Sequence, residues 1–343
     1  MIDRVNVAVV GLGFMGVTHL KAWRKIKRAR IVAVCGASRL PVNGRLAGIS
    51  GNMGGPDGVF LDPAVKVYSN FDELLAVSGV DLVDLCTPTP LHHVHAIAAL
   101  KAGKHVICEK PMARTSAAAE EIVTAARAAR SKGIFFMPAM VMRFWPEWTW
   151  LKQAVERKMF GEVLAARFRR VSEAPRWSKH FHGAQSGGAL LDLHIHDADF
   201  VQFLFGKPAN VFATGLCRFS GAIDHVIAQY RVANRAVVHA EGSWLMTEGY
   251  GFNMAFTVNF EKATADYDVA RGTETLRLCE ETRMPRIIKC KGPDAYIGEL
   301  DYMANCILRG EPTAIVTAED GSNAVKICEA GEKSIKTHRM VDI

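Results

Sequence analysis

Short apolar runs and longer mixed stretches alternate through residues 1-140. Val5–Val10, Ile31–Cys35, Val65–Tyr68, Asp81–Cys86, His105–Cys108 and Ile134–Met137 have strand character. Helix-competent stretches lie between them. One runs to about Lys27, one is opened by Asn70 with Glu73 as its capping-box partner, one spans about His92 to Ala102, and Ser116–Gly133 is alanine-rich. Strand alternating with helix predicts an α/β unit, a doubly wound parallel sheet, over 1-140. Residues 40–65, glycine-rich around Gly51–Gly58, predict a long irregular loop.

The pattern changes after residue 140. Leu164–Val171 reads as a strand, Ser172–Gly188 as a loop and Ala189–Phe205 as one helix. Strand-like runs then cluster at 210–218, 225–232, 236–245, 252–260 and 263–268. Strands grouped after a helix predict an α+β domain over 141-343 with a mostly antiparallel, open sheet. Two closing helices, about 295–309 and 318–337, carry the apolar spacing to pack back on the body. Met246, Phe252, Met254, Phe256 and Val258 alternate. Such alternation places one set of side chains on a core or on a partner's face.

Between the first two strands stands Gly11-Leu12-Gly13-Phe14-Met15-Gly16. The order strand, GxGxxG, helix, strand is that of a Rossmann dinucleotide site. Gly11 allows the tight turn, Gly13 lets backbone approach a pyrophosphate, and Gly16 lets the helix pack close to the strand. The second strand ends in Gly36-Ala37-Ser38-Arg39, with no acid to hold a ribose diol. Arg39 as a guanidinium fork and Ser38 as a donor suit a 2′-phosphate, which favours NADP over NAD.

Ligands in open parallel sheets sit at the carboxyl ends of strands. Thr87-Pro88 with His92, and Glu109-Lys110-Pro111, stand at two such ends. A lysine fixed there by a proline turn can donate to a substrate oxygen and ease a developing alkoxide. His95 reads as structural. In the second half Asp192 and His196 are four apart on the predicted helix, so both project from one face. A near-neutral histidine can take a hydroxyl proton, and a carboxylate beside it favours the imidazolium. His194 is two residues from His196 and cannot face the same way, which argues against a metal site. Arg143, Arg169, Trp177, His180 and His182 are candidate substrate contacts by residue type and position.

Gly11–Gly16, Thr87-Pro88 with His92, and Ala102–Pro111 resemble the Gfo/Idh/MocA oxidoreductase family. So do Arg143-Phe144-Trp145-Pro146, Gly187–Asp199, and Tyr296, Glu299, Asp320-Gly321, Ala324 and Ser334 near the end. The resemblance spans nearly the whole chain. It implies an NAD(P)-dependent oxidoreductase moving a hydride between nicotinamide and a sugar, polyol or related cyclic alcohol or ketone. The family's catalytic lysine, aspartate and histidine fall on Lys110, Asp192 and His196. Phe14, Met15, Glu109 and also Lys110 fall among its cofactor positions. The resemblance also implies an open sheet used for dimer or tetramer contacts. It leaves two alternatives: a glycoside hydrolase acting by transient oxidation and elimination, and a non-catalytic NAD(P)-binding regulator. The intact lysine, aspartate and histidine argue against the regulator.

The 343 residues are enough for two domains with a large core. The net charge of +7 comes in clusters such as Arg24-Lys25 and Arg169-Arg170 without interleaved aromatics. That reads as solvated helix faces with some steering of an anionic cofactor, not as a nucleic-acid stripe. Eight cysteines without a CxxC read as reduced thiols and not as a zinc site. No apolar run reaches membrane-spanning length, and residues 1–10 read as a strand and not as a signal peptide, so a cytoplasmic location is expected.

Overall fold

The computed structural model describes the chain except residues 1–2, 38, 50, 52–56 and 177–180. It divides into two compact units, 1–141 with 293–322 and 142–292 with 323–343.

The first unit is built on strands β1 (Val5–Val10), β2 (Ala29–Cys35), β3 (Lys66–Tyr68), β4 (Leu82–Leu85), β5 (His105–Glu109) and β6 (Phe136–Ala139). Helices α1 (Phe14–Trp23), α2 (Phe71–Leu75), α3 (Thr89–Lys101) and α4 (Ser116–Arg130) alternate with them. The sheet order is β3-β2-β1-β4-β5-β6, and every pair is parallel. The order reverses between β1 and β4, so the crevice at their carboxyl ends is the ligand position of such sheets. Helix α3 begins three residues earlier than the sequence suggests, because Pro90 sits in its first turn, where a missing N–H costs nothing. Asn70 caps α2, accepting from the Asp72 and Glu73 amides. The stretch expected to be irregular contains a small ribbon pairing Arg45–Leu46 with Val59–Phe60.

The second unit opens with helix α5 (Pro146–Glu156) and strand β7 (Val163–Glu173). A π-helical turn, Leu190–His194, runs into helix α6 (Ile195–Phe205). Strands β8 (Asn210–Leu216), β9 (His225–Arg231), β10 (Val237–Met246), β11 (Phe252–Phe260) and β12 (Ala263–Asp268) follow. Then come β13 (Leu276–Glu280) and β14 (Arg286–Ile287); the chain returns to the first unit for helix α7 (Ala295–Arg309), and helix α8 (Ala318–Thr337) and β15 (Val341–Asp342) close it. The nine-stranded sheet runs β14-β13-β12-β11-β7-β10-β9-β8-β15. Only β10 with β7 is parallel; the other pairs are antiparallel. Trp148 of α5 anchors the core, with Phe200 edge-on at 4.7 Å and Phe256 at 5.2 Å. Met254, Phe256 and Val258 are therefore core residues and not a partner-facing surface. The opposite face of β11 carries Ala255, Thr257 and Asn259.

A split at 140/141 does not describe the folded units. Helix α7 belongs to the first unit. Its buried stripe of Leu300, Met303, Ala304 and Ile307 has the spacing to pack on α1 and β1. Helix α8 supplies its first turn to the first unit and the remainder to the second.

Candidate active site and the family of the chain

The glycine turn is shaped by what cannot fit. Gly11 has φ +91°, and a Cβ there would stand 2.5 Å from the Cys86 carbonyl. A Cβ on Gly16 would lie 1.9 Å from the Gly11 oxygen, so α1 lies directly against the turn. Gly13 differs, since a Cβ there would meet nothing within 4 Å. It faces open space at the start of α1, whose first turn has no side-chain cap and no acid. Its amides and the positive end of the helix are thus free for an anion. The buried Thr87 Oγ1, with no partner of its own, stands at the end of the adjacent strand. These features fit a dinucleotide pyrophosphate. Phe14 and Met15 are half-buried in the same turn.

Arg39 also reaches this turn. Its guanidinium donates to the carbonyls of Leu12 and Ala47. Ser38 lies outside the described residues.

His92 and Glu109 do not present themselves to a ligand. The buried His92 ring lies 2.7 Å from the Thr87 carbonyl and 2.8 Å from that of Pro111. Burial pushes its pKa down, so the neutral ring donates to one of the two. It braces the turns after β4 and β5. His95 stacks on Phe71 at 4.2 Å. Glu109 turns inward, with Oε2 accepting the Lys110 N–H at 3.0 Å and Oε1 lying 3.1 Å from His19 Nε2. Lys110 is half-buried, and its peptide to Pro111 is cis.

His19 itself is fully buried on α1. Its Nδ1 lies 2.9 Å from Asp84 Oδ2, which also accepts from Trp23 Nε1 at 2.7 Å. Burial alone would lower the ring's pKa. The Asp84 charge and the hydrogen bonds with Asp84 and Cys86 outweigh that and hold it well above the ordinary value. His19, Asp84 and Cys86 have metal-ligating chemistry and lie within 4.8 Å of one another. With its pKa raised, the ring favours the protonated form beside Asp84. The sequence reading missed this cluster. The available signal was Asp84, a charged residue inside the otherwise apolar β4.

In the second unit every residue from 186 to 202 is buried except Asp192 and His196. A single helix was expected there, but Asp192 lies in the π-helical turn and His196 in the first turn of α6. At about 4.4 residues per π turn, positions four apart still share a face. The helix is seated by a chain reversal at Gly187 (φ +82°) and Gly188 (φ +69°). A Cβ on Gly188 would stand 2.5 Å from the Ile223 oxygen. The neighbouring acids are committed elsewhere. Asp197 pairs with Arg170 at 3.1 Å and Asp199 with Arg143 at 2.7 Å, all four buried. His194 accepts from or donates to Tyr230 Oη at 2.6 Å, and burial, aided by Arg170, pushes its pKa down to about 3.

Two expected substrate contacts are corrected. The Arg143 guanidinium donates to both oxygens of Asp199 and lies over the Phe203 ring at 4.5 Å. Arg169 alternates with Phe168 and Arg170, and Arg170 reaches α6, so Arg169 points from the opposite face of the sheet. There it meets Glu241, Asn253 and Tyr250. Trp177 and His180 lie outside the described residues, and His182 is exposed just before the helical turn Gly183–Ser186.

Comparison with known proteins accords with this layout. Residues 5–136 match the model of an oxidoreductase family with an NAD-binding Rossmann fold, GFO_IDH_MocA. Residues 148–266 match the GFO/IDH/MocA C-terminal domain. The chain is 26% identical over 350 aligned residues to the myo-inositol 2-dehydrogenase of Thermotoga maritima, covering 99% of this chain and 98% of that protein. It is 29% identical to the D-apiose dehydrogenase of Paraburkholderia graminis, covering 82% of this chain and 70% of that protein. Its fold superposes on a levoglucosan dehydrogenase in complex with NADH with a TM-score of 0.83, at 22% identity and 99% coverage of both chains. Among the described residues no helix is long and apolar enough to cross a membrane. From the glycine turn through the second sheet, the chain belongs to the Gfo/Idh/MocA family of NAD-binding oxidoreductases.

Proposed function

We propose that this protein is a reversible NAD(P)-dependent dehydrogenase of a sugar, polyol or related cyclic alcohol or ketone. The observation that carries the reading is the half-buried pair Asp192 and His196 in an otherwise buried helical run. Myo-inositol, D-apiose and levoglucosan, named for its relatives, are the substrate class. When bound, nicotinamide accepts or returns the hydride. The amides at the start of α1 hold the pyrophosphate. Lys110 donates to the reacting oxygen and stabilises its developing charge. His196 takes the hydroxyl proton on oxidation and returns it on reduction, and Asp192 steadies the imidazolium. A cytoplasmic homodimer or homotetramer is part of the same reading. Phe212, Leu216, Ile227 and Val237, exposed on the second sheet, are the contact residues it favours.

The test is absorbance at 340 nm with NAD+ or NADP+ against myo-inositol, levoglucosan, apiose and a set of hexoses. Reduction by at least one of these alcohols is expected. Glycoside cleavage without net cofactor change would move the protein to the hydrolase alternative, and cofactor binding without any turnover to the regulator.

Arg39, beside the glycine turn with no acid at the end of β2, favours NADP. Arg39→Ala should weaken NADPH about 10-fold or more, the scale of a lost charge-assisted pair, and NADH far less. Fluorescence titration of both reduced cofactors measures it, and equal losses would remove Arg39 as a phosphate reader.

A further inference from the structure

The roles above leave one buried polar chain of the first unit without a task. It runs from Trp23 and Asp84 through His19 to Glu109 and ends on the backbone N–H of Lys110. Asp84 is fully buried and Glu109 nearly so. Two carboxylates are held out of water only at a cost unless each is paired. One ring lies beside both: Nδ1 hydrogen-bonds Asp84, and Nε2, without a hydrogen-bond partner, stands 3.1 Å from Glu109 Oε1, with Cys86 Sγ 3.4 Å from Nδ1 and the Tyr296 ring 6.2 Å away.

Glu109 uses its two oxygens differently. One meets the ring and the other takes the Lys110 amide. On the far side of Lys110, the His92 ring lies 2.8 Å from the Pro111 carbonyl. The lysine backbone is thus gripped before and after the residue. His19 lies six residues beyond Gly13, about 9 Å along α1. The helix that offers its start to the pyrophosphate therefore also carries the ring that faces Glu109 at 3.1 Å.

We propose that His19 and Glu109 are positioning residues that set Lys110 relative to the bound dinucleotide, with Glu109 holding the lysine backbone instead of touching the cofactor. The inference rests on the assignment of Lys110 to the substrate oxygen.

The test compares Glu109→Ala, Glu109→Met and Glu109→Gln. Steady-state rates are read with NAD+ and the fastest alcohol among myo-inositol, levoglucosan and apiose. NADH affinity is read by fluorescence and folding by thermal melting. Glu109→Ala should lower kcat about 10- to 100-fold, the scale of a misplaced reacting group, with NADH affinity within about threefold. Glu109→Met fills the same space without an acceptor and should match it, which keeps the test open if the alanine variant does not fold. Glu109→Gln keeps an oxygen for the Lys110 amide and should return kcat to within about fivefold of the parent. An unchanged kcat in Ala and Met, a loss confined to NADH affinity, or a Gln variant as poor as Met overturns the proposal. Lys110→Ala separates the two claims. If it still turns over, the lysine assignment falls and the positioning role with it. If it is inactive while the Glu109 variants are unimpaired, the positioning role alone falls. Should no alcohol reduce NAD+, both are rejected.

Discussion

Lys110→Ala should lower turnover of an alcohol with NAD+ by about 10²- to 10⁴-fold, the combined scale of a lost proton donor and a lost charge at the reacting oxygen. Binding of the reduced cofactor should change little. The proposed pyrophosphate seat is the α1 amides and the glycine turn, with no part assigned to the Lys110 side chain. The fold should survive as well. The side chain is half-buried, while the strand end is held through the Lys110 backbone N–H and the Pro111 carbonyl, both of which alanine leaves in place. Single-turnover rates and NADH fluorescence, taken on the same preparation, separate the two effects. Unchanged turnover would take Lys110 out of the mechanism. A loss confined to cofactor affinity would make it a ligand of the dinucleotide.

The first unit was legible in the sequence because its signals are local. Each strand of the parallel sheet is a short apolar run closed by a turn residue, and the glycines of the first turn sit at spacings that only close backbone approach explains. The five strands expected from 210 to 268 were legible for the same reason, since each is a period-two pattern on a half-buried sheet. β13, β14 and β15 were missed. They are short, lie at or next to the sheet edges and carry exposed or charged residues such as Arg277 and Arg286. Periodicity has little to work with there.

The features that stayed hidden depend on distance or on a single extra residue. His19 meets Asp84 65 positions later in the chain, and Arg143 meets Asp199 56 positions later. No local pattern announces either pairing. The π-helical turn differs from an α-helix only in its hydrogen-bond step, and its buried residues are Leu190, Leu191, Leu193 and His194, a mix that gives no sign of the change. The sequence placed Asp192 and His196 on one face by assuming an α-helix. In the structure Asp192 lies in the π-helical turn and His196 in the first turn of α6, both partly exposed. Arg169 was misjudged because strand alternation was not applied to it. Phe168 and Arg170 face α6, so the residue between them cannot.

The buried partners of α6 sharpen what His196 should do. His194 is two residues away, yet it is buried, hydrogen-bonded to Tyr230 and pushed down to a pKa of about 3 by burial and by Arg170. At neutral pH it is an uncharged structural ring. His196 is half-exposed on the same face as Asp192. His196→Ala should therefore cost about 10²- to 10⁴-fold in kcat, the range for a lost general base, while thermal stability and NADH affinity change little. Asp192→Asn should lose less, because the histidine remains and only its electrostatic support is weakened. His194→Ala should reverse the pattern. It leaves the Tyr230 hydroxyl facing a cavity, so melting temperature falls while the kcat of the folded fraction stays near that of the parent. Melting curves and steady-state rates on the three variants decide the matter. Equal kcat losses at 194 and 196, with equal destabilisation, would make both histidines structural and leave the proton transfer without a base on this helix.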